Sequence, residues 1–109
     1  MSTINDLQKR ALEIRSMYDE LNKRQRGRVW NAKDHAMGFV GDVGDLMKLV
    51  AAKEGVRAGA DIDSRLGHEL ADCMWSVFVI ANHYGVDMEK EFARTMDYLE
   101  KRITKELKS

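Results

Sequence analysis

The hydrophobic residues of this chain recur at alternating spacings of three and four, which is the period of an amphipathic α-helix. The chain contains no proline that would break such a pattern. The first stripe predicts a helix of about five turns, with Thr3 or Asn5 as its N-cap. Its apolar members are Ile4, Leu7, Ala11, Ile14, Tyr18 and Leu21.

A second helix follows a basic and irregular segment, residues 24–31, which predicts a connector. Asp34 suits the N-cap of this helix, and its apolar positions continue as far as Val50. Residues 54–60 contain two glycines and have no consistent period. They therefore predict a loop before the third helix.

The third helix is expected to begin after Asp61 or Asp63 and to end at Gly85, with Asp87 capping the fourth. Nearly every residue from 70 to 81 is apolar, which predicts burial on most sides of the third helix. One chain of four helices would hardly cover it. We therefore expect a homodimer or larger bundle. The fourth helix has an apolar stripe formed by Phe92, Met96, Leu99, Ile103 and Leu107.

The length and charge of the chain limit the classes of protein to which it can belong. With 109 residues the chain predicts a single domain, residues 1–109. Its 18 basic and 18 acidic side chains cancel, so no broad positive field is expected to bind nucleic acid or a membrane. No apolar run is long enough for a membrane span, and the N-terminus lacks a secretory pattern. Together with the single cysteine, Cys73, this predicts a cytoplasmic protein.

Two pairs of acidic residues lie within otherwise apolar helical segments. Asp42 and Asp45 are three residues apart on the second helix, and Glu69 and Asp72 repeat that spacing on the third. Residues three apart project from one side of a helix. Two antiparallel helices are expected to bring the four carboxylates together, a ligand set suited to Mg²⁺ or Mn²⁺. The alternative is that these acids lie on solvated helix faces, as acids at this spacing often do.

Glycines recur every three residues on the second helix, at Gly38, Gly41 and Gly44. Each costs about 1 kcal/mol relative to alanine within a helix. Close approach of a partner helix or of a ligand would explain them. A poorly formed helix is the alternative.

These residues resemble the motifs of the MazG-like all-helical nucleotide pyrophosphohydrolases, which have E-x-x-E on one helix and E-x-x-D on the next. Residues 39–46 resemble the family's apolar-apolar-G-E-V-G-E-L segment, and residues 69–72 resemble its E-L-x-D segment. Residues 85–88 resemble the turn that opens the family's last helix. Trp30 resembles the tryptophan that commonly precedes the first motif. The similarity covers roughly residues 28–103.

The resemblance implies an all-α, four-helix MazG-like bundle completed by homo-oligomerisation, as a dimer or tetramer. It implies that Asp42, Asp45, Glu69 and Asp72 are the Mg²⁺ ligands and catalytic residues, with Mn²⁺ as a possible substitute. The implied reaction is hydrolysis of a nucleoside triphosphate to a monophosphate and pyrophosphate, in removal of unwanted nucleotides or control of the nucleotide pool. In such a reaction metal ions neutralise charge that develops on the phosphates.

Four further residues are candidates for substrate binding, each with an alternative. Trp30 could stack on a nucleobase or anchor the core. His35 could reach a phosphate or lie exposed near the start of its helix. Arg28 belongs to a basic cluster, residues 23–28, that could contact a triphosphate or form a solvated face. Lys48 could bind a phosphate oxygen or pair with Asp45.

The chain departs from the family pattern at two places. Asp42 and Asp45 stand where glutamate is usual, which shortens each side chain by one methylene, roughly 1.5 Å. Thr95 and Leu99 stand where relatives often have a lysine and an asparagine near the substrate. A second hypothesis is therefore a helical protein that binds nucleotide or regulates without turnover. A third is a bundle adaptor whose acids are surface residues.

Overall fold

The computed structural model describes residues 2–55 and 61–109, and within these ranges all regular structure is helical. The four helices are α1, Ile4–Arg26; α2, Ala32–Lys53; α3, Ile62–His83; and α4, Met88–Leu107. The all-α, four-helix prediction is confirmed. None of these helices is long and apolar enough to cross a membrane. Of the predicted loop, residues 54 and 55 form a turn, and residues 56–60 lie outside the described residues.

The helix ends follow local capping. Thr3, one of the two expected caps, accepts a hydrogen bond from the Asp6 amide. The prediction of Asp34 as the cap of α2 is wrong. Asn31 is the cap, and Asp34 accepts a hydrogen bond from the Asn31 amide in return. This reciprocal pair is a capping box, which sets the start of the helix three residues earlier.

Two further helix ends differ from the sequence pattern in detail. α1 continues through the first part of the predicted connector and ends at Gly27, whose φ of 72° is left-handed. Asp61 occupies the N-cap position of α3 but its side chain makes no capping hydrogen bond. Asp87 caps α4 as expected, because its side chain accepts from the Lys90 amide.

α2 and α3 pack antiparallel and form the most extensive helix contact. Lys53 at the end of α2 pairs with Asp63 at the start of α3. At the opposite ends, the rings of His35 and His83 lie 5.5 Å apart. This alignment brings the middle of α2, with its aspartates, beside the first half of α3.

α1 covers one side of the α2–α3 pair. The Trp75 indole donates to the Ala11 carbonyl at 3.0 Å, and the Tyr18 ring meets Trp75 edge to face. The buried apolar residues come mainly from α3 and are joined by one residue each from α1 and α2: Ala11, Leu49, Phe78, Val79 and Ala81. α4 contacts α1 and has no buried residue. The core is therefore small.

The opposite side of the α2–α3 pair is apolar but uncovered in the single chain. Leu70 and Met74 of α3 are about half exposed, although the sequence predicts burial on most sides of this helix. Val43, Met47 and Val50 of α2 are exposed as well, and their spacings of four and three place them along one stripe of that helix. We call these five residues the α2–α3 apolar face.

Candidate metal and ligand site

Three of the four predicted acidic ligands converge between α2 and α3. Asp42 of α2 and Glu69 and Asp72 of α3 each offer one carboxylate oxygen, and these oxygens all lie within 4.8 Å of one another. The spacing of three residues on α3 places Glu69 and Asp72 on one side of that helix. Antiparallel packing brings Asp42 opposite them. We call these three residues the acidic cluster.

The electrostatics of the acidic cluster favour a bound cation. Burial, reinforced by the negative charges of Asp72 and Asp45, raises the pKa of Asp42 above its ordinary value, and a contact with the Ser76 hydroxyl opposes this shift. One oxygen of Glu69, Oε2, is buried without a hydrogen-bond partner. A buried carboxylate oxygen without a donor is costly. Carboxylate oxygens are also the ligands that Mg²⁺ prefers, so these residues fit the expected ion.

Asp45 does not join the acidic cluster. It is exposed, and it influences the cluster through its charge on Asp42. Three residues turn a helix by about 300°, so Asp45 points about 60° away from Asp42 around the axis of α2. The shorter aspartate side chain does not reach back across that angle. The sequence interpretation that placed both aspartates in one group with Glu69 and Asp72 does not describe this arrangement.

A cavity of about 620 Å³ opens beside the acidic cluster, between α1, α2 and α3. Asp42 and Asp72 form one part of its wall, with His68 close by, whose Nε2 lies 3.2 Å from Asp72 Oδ2. Aromatic rings form another part. Arg26, a member of the predicted basic cluster, also lines the cavity. The lining residues that the sequence analysis did not name as candidate site residues are Ile14, Tyr18, Asn22, Ala71, Trp75 and Ser76. Its volume falls within the usual range for small-molecule sites, about 300–1,000 Å³.

Trp30 lies in the cavity wall and is half-buried. A Cβ atom added at Gly38 would lie 3.2 Å from the indole ring, so this glycine lets Trp30 pack closely on α2. Nothing lies within 4 Å of the equivalent points at Gly41 and Gly44. Close approach within the chain therefore explains one of the three helical glycines. The other two have no such explanation in the single chain.

His35 is buried, with only 4% of its surface exposed, so the expectation of a solvent-exposed histidine is wrong. Its ring lies among Trp30, Trp75 and His83 and also lines the cavity. Neither ring nitrogen has a hydrogen-bond partner. Burial lowers the pKa of His35 below its ordinary value, and the charges of Arg15 and His83 reinforce the shift. His35 is therefore neutral near pH 7.

Two of the predicted basic contacts, Arg28 and Lys48, do not line the cavity. Arg28 pairs with Asp34 at 2.9 Å, at the start of α2. Lys48 is exposed, and within the described residues it forms no ion pair with Asp45. Arg26 lines the cavity instead, and its guanidinium donates to the Asn22 side-chain oxygen at 3.2 Å.

Two of these lining residues, Asn22 and Ser76, are polar residues at apolar helical positions. Asn22 follows Tyr18 by four residues on α1, and Ser76 follows Asp72 by four on α3. Both are buried. A buried polar side chain within an apolar stripe is unusual and indicates a polar partner or ligand.

No family model, curated protein or solved structure matches this chain. The site geometry therefore defines a class only: an all-helical protein with an acidic cluster beside an aromatic-lined cavity.

Proposed function

We propose that this protein is a magnesium-dependent nucleoside triphosphate pyrophosphohydrolase of the MazG-like kind. It hydrolyses a canonical or modified nucleotide to a monophosphate and pyrophosphate in the cytoplasm, as a homodimer or homotetramer. One observation carries the proposal: three carboxylates from two helices converge within 4.8 Å, and two of them, Asp42 and Asp72, line an aromatic-lined cavity. A nucleotide carries a charged triphosphate and a flat base. A cation held by the acidic cluster would meet the triphosphate, and the aromatic part of the cavity would meet the base.

In this proposal Asp42, Glu69 and Asp72 hold the ion, and Asp45 adds negative charge from outside the cluster. When bound there, a divalent ion would neutralise phosphate charge and polarise a water molecule. The uncompensated Glu69 oxygen and the raised pKa of Asp42 both support this role, because a divalent cation would relieve both.

The base would lie among the aromatic residues of the cavity. Trp30, Tyr18 and Trp75 provide faces and edges for stacking, which contributes about 1–3 kcal/mol for each base–aromatic contact. Neutral His35 and the side chain of Asn22 provide hydrogen-bonding groups for the edge of a base. Arg26 is the basic residue of the cavity wall and replaces Arg28 as the candidate for a phosphate or sugar contact.

Pyrophosphate release from a panel of canonical and modified nucleoside triphosphates tests the proposal. With Mg²⁺ at least one nucleotide should yield pyrophosphate, and chelation should abolish the release. Asp72→Asn should lower kcat by about 100-fold or more, because a metal ligand contributes several kcal/mol of charge stabilisation. The matched control Asp97→Asn removes an exposed carboxylate from α4 and should leave kcat unchanged. A panel that yields no pyrophosphate in the presence of metal refutes the enzymatic proposal.

The position of Asp45 favours the second candidate function, a nucleotide-binding or regulatory protein without turnover. An exposed Asp45 leaves three converging carboxylates where the resemblance implies four. Replacing both Asp42 and Asp45 by glutamate separates the two functions. Loss of activity from an active parent would show a site adapted to aspartate, and activity gained by an inactive parent would support the non-catalytic protein.

A further inference from the structure

We infer that α1 separates from the α2–α3 pair when His35 and His83 become charged, so that the cavity loses one of its walls in acid. A ligand that contacts this wall would bind at neutral pH and dissociate on acidification. The inference adds a regulation to the proposed function, and it rests on that function only for the kind of ligand that is released. Four residues of α1 form the wall: Ile14, Tyr18, Asn22 and Arg26.

Two histidines lie where α1, α2 and α3 meet. His35 of α2 is buried, and so is the Nε2 atom of His83 on α3. The centres of the two rings lie 5.5 Å apart. Among the described residues, neither nitrogen of His35 nor Nε2 of His83 has a hydrogen-bond partner. Two positive charges this close together, shielded from water, would repel each other, so this arrangement favours neutral imidazoles.

The charged groups that act on these rings come from α1 and from the start of α2. Arg15 and Asp19 of α1 form an ion pair at 3.5 Å, and their side chains are only 18% and 27% exposed. Burial lowers the pKa of both histidines below the ordinary value, and the charge of Arg15 adds to this shift. Asp19 opposes the shift at both rings, and Asp34 opposes it at His35. The net effect disfavours protonation while α1 is in place.

The attachment of α1 depends on little buried apolar surface. Of the residues of α1, one apolar residue, Ala11, is buried. Its carbonyl accepts from the Trp75 indole, and the Tyr18 ring meets Trp75 edge to face. The contact of α1 with α3 is smaller than the contact between α2 and α3. An element with few buried apolar contacts opens at a lower free energy than the core, so α1 can separate while α2 and α3 stay paired.

Proton binding determines the direction of the change. With α1 separated, both imidazoles are in water and bind protons near the ordinary pKa of 6.5. With α1 in place they bind protons only at lower pH, so protons favour the separated form as the pH falls below about 6.5. Each histidine that stays neutral while α1 is in place increases the separated population about 10-fold per pH unit below that value. Two such histidines give about 100-fold.

Hydrogen exchange of the full chain, without nucleotide or metal, measures the separation of α1. Between pH 7.5 and pH 5.5, the protection factors of α1 amides should fall by at least about 10-fold relative to those of α2. The double variant His35→Gln and His83→Gln should keep its α1 protection within about twofold. The matched control His68→Gln changes a histidine whose side chain is 73% exposed and should respond as the parent does. A parent without this pH response, or a double variant that retains it, overturns the inference.

The Arg15–Asp19 ion pair gives a second test that keeps both histidines. Asp19→Asn and Arg15→Gln each break the ion pair, so a purely structural role predicts the same change for both. Each variant is compared with its own protection at pH 7.5. Asp19→Asn removes a charge that favours imidazolium, so it should lose at least about twofold more α1 protection at pH 5.5 than Arg15→Gln, which removes an opposing charge.

Equal losses in the two variants, or a larger loss in Arg15→Gln, overturn the inference. Because the measurements use neither nucleotide nor metal, the failure of this pH response and the failure of the proposed hydrolysis are distinguishable.

Discussion

Replacing Glu69 by glutamine removes one negative charge from the acidic cluster while keeping the size of the side chain. The carboxylate oxygens of the cluster lie within 4.8 Å of one another. At that limit two unit charges repel by about 0.9 kcal/mol in bulk water and about 3.5 kcal/mol at an effective dielectric constant of 20. Glu69 is only partly buried, so screening favours the lower value. Relief of its repulsion with Asp42 and Asp72 should then stabilise the metal-free protein by about 1–2 kcal/mol.

The same substitution should have the opposite effect when magnesium is present. Mg²⁺ at about 100 times its Kd should stabilise the parent by about 2.7 kcal/mol. Glu69→Gln should lose most of that gain, because the ion loses a charged ligand. Glu69→Gln should therefore be more stable than the parent in chelator and less stable than the parent in Mg²⁺.

Thermal unfolding at pH 8, at one protein concentration, measures this reversal in the order of stability of the parent and the variant. In chelator, Tm should rise by about 4–16 °C, since each kcal/mol corresponds to about 4–8 °C. The matched control Glu100→Gln, an exposed residue of α4, should shift neither curve. A Glu69→Gln protein that is less stable than the parent without metal, or one that keeps its full magnesium response, would refute the reasoning from charge repulsion.

Three other predictions follow from the site. Burial lowers the pKa of His35 below its ordinary value of 6.5. As the pH falls, His35 therefore gains a proton at a higher pH in the unfolded chain than in the folded protein. Stability should fall as the pH drops below about 6.5, and urea unfolding should show a flatter profile for His35→Gln. Trp30→Ala should weaken nucleotide binding about 10-fold or more through lost stacking, measured as KM or by calorimetry; an unchanged value would exclude a stacking role. Gly41→Ala should stabilise α2 by up to about 1 kcal/mol, and Gly38→Ala should give less because its Cβ meets Trp30; equal gains in denaturant unfolding would contradict that contact.

Much of the fold could be predicted from the sequence because helical periodicity is a local property. The four stripes identify α1 to α4, and Asp87 caps α4 as its position suggests. The start of α2 could not be chosen in the same way, since Asn31 and Asp34 are both good capping residues. The capping box uses both, and only the backbone geometry shows which one is the cap.

The candidate site was less predictable because it depends on how each helix is rotated about its axis and on how the helices pack against one another. The spacing of Asp42 and Asp45 is compatible with a shared target, but the direction of α3 decides which aspartate points into the cluster. His35 at a helix start suggests exposure, and its burial arises from the nearby Trp30 ring and from the Trp75 and His83 rings of α3. Asn22, Trp75 and Ser76 join the cavity for the same reason: α1 packs across α3.

The hydrogen bond between Arg26 and Asn22 determines how the side-chain amide of Asn22 is oriented in the cavity wall. A guanidinium has no acceptor, so the amide oxygen of Asn22 must be the atom that faces Arg26. The NH₂ group of Asn22 remains as the donor that this residue offers to its surroundings. A ligand that places a carbonyl or an unprotonated ring nitrogen beside this NH₂ group would accept a hydrogen bond from it. A ligand that presents an amino group there would place two donors together and would bind more weakly.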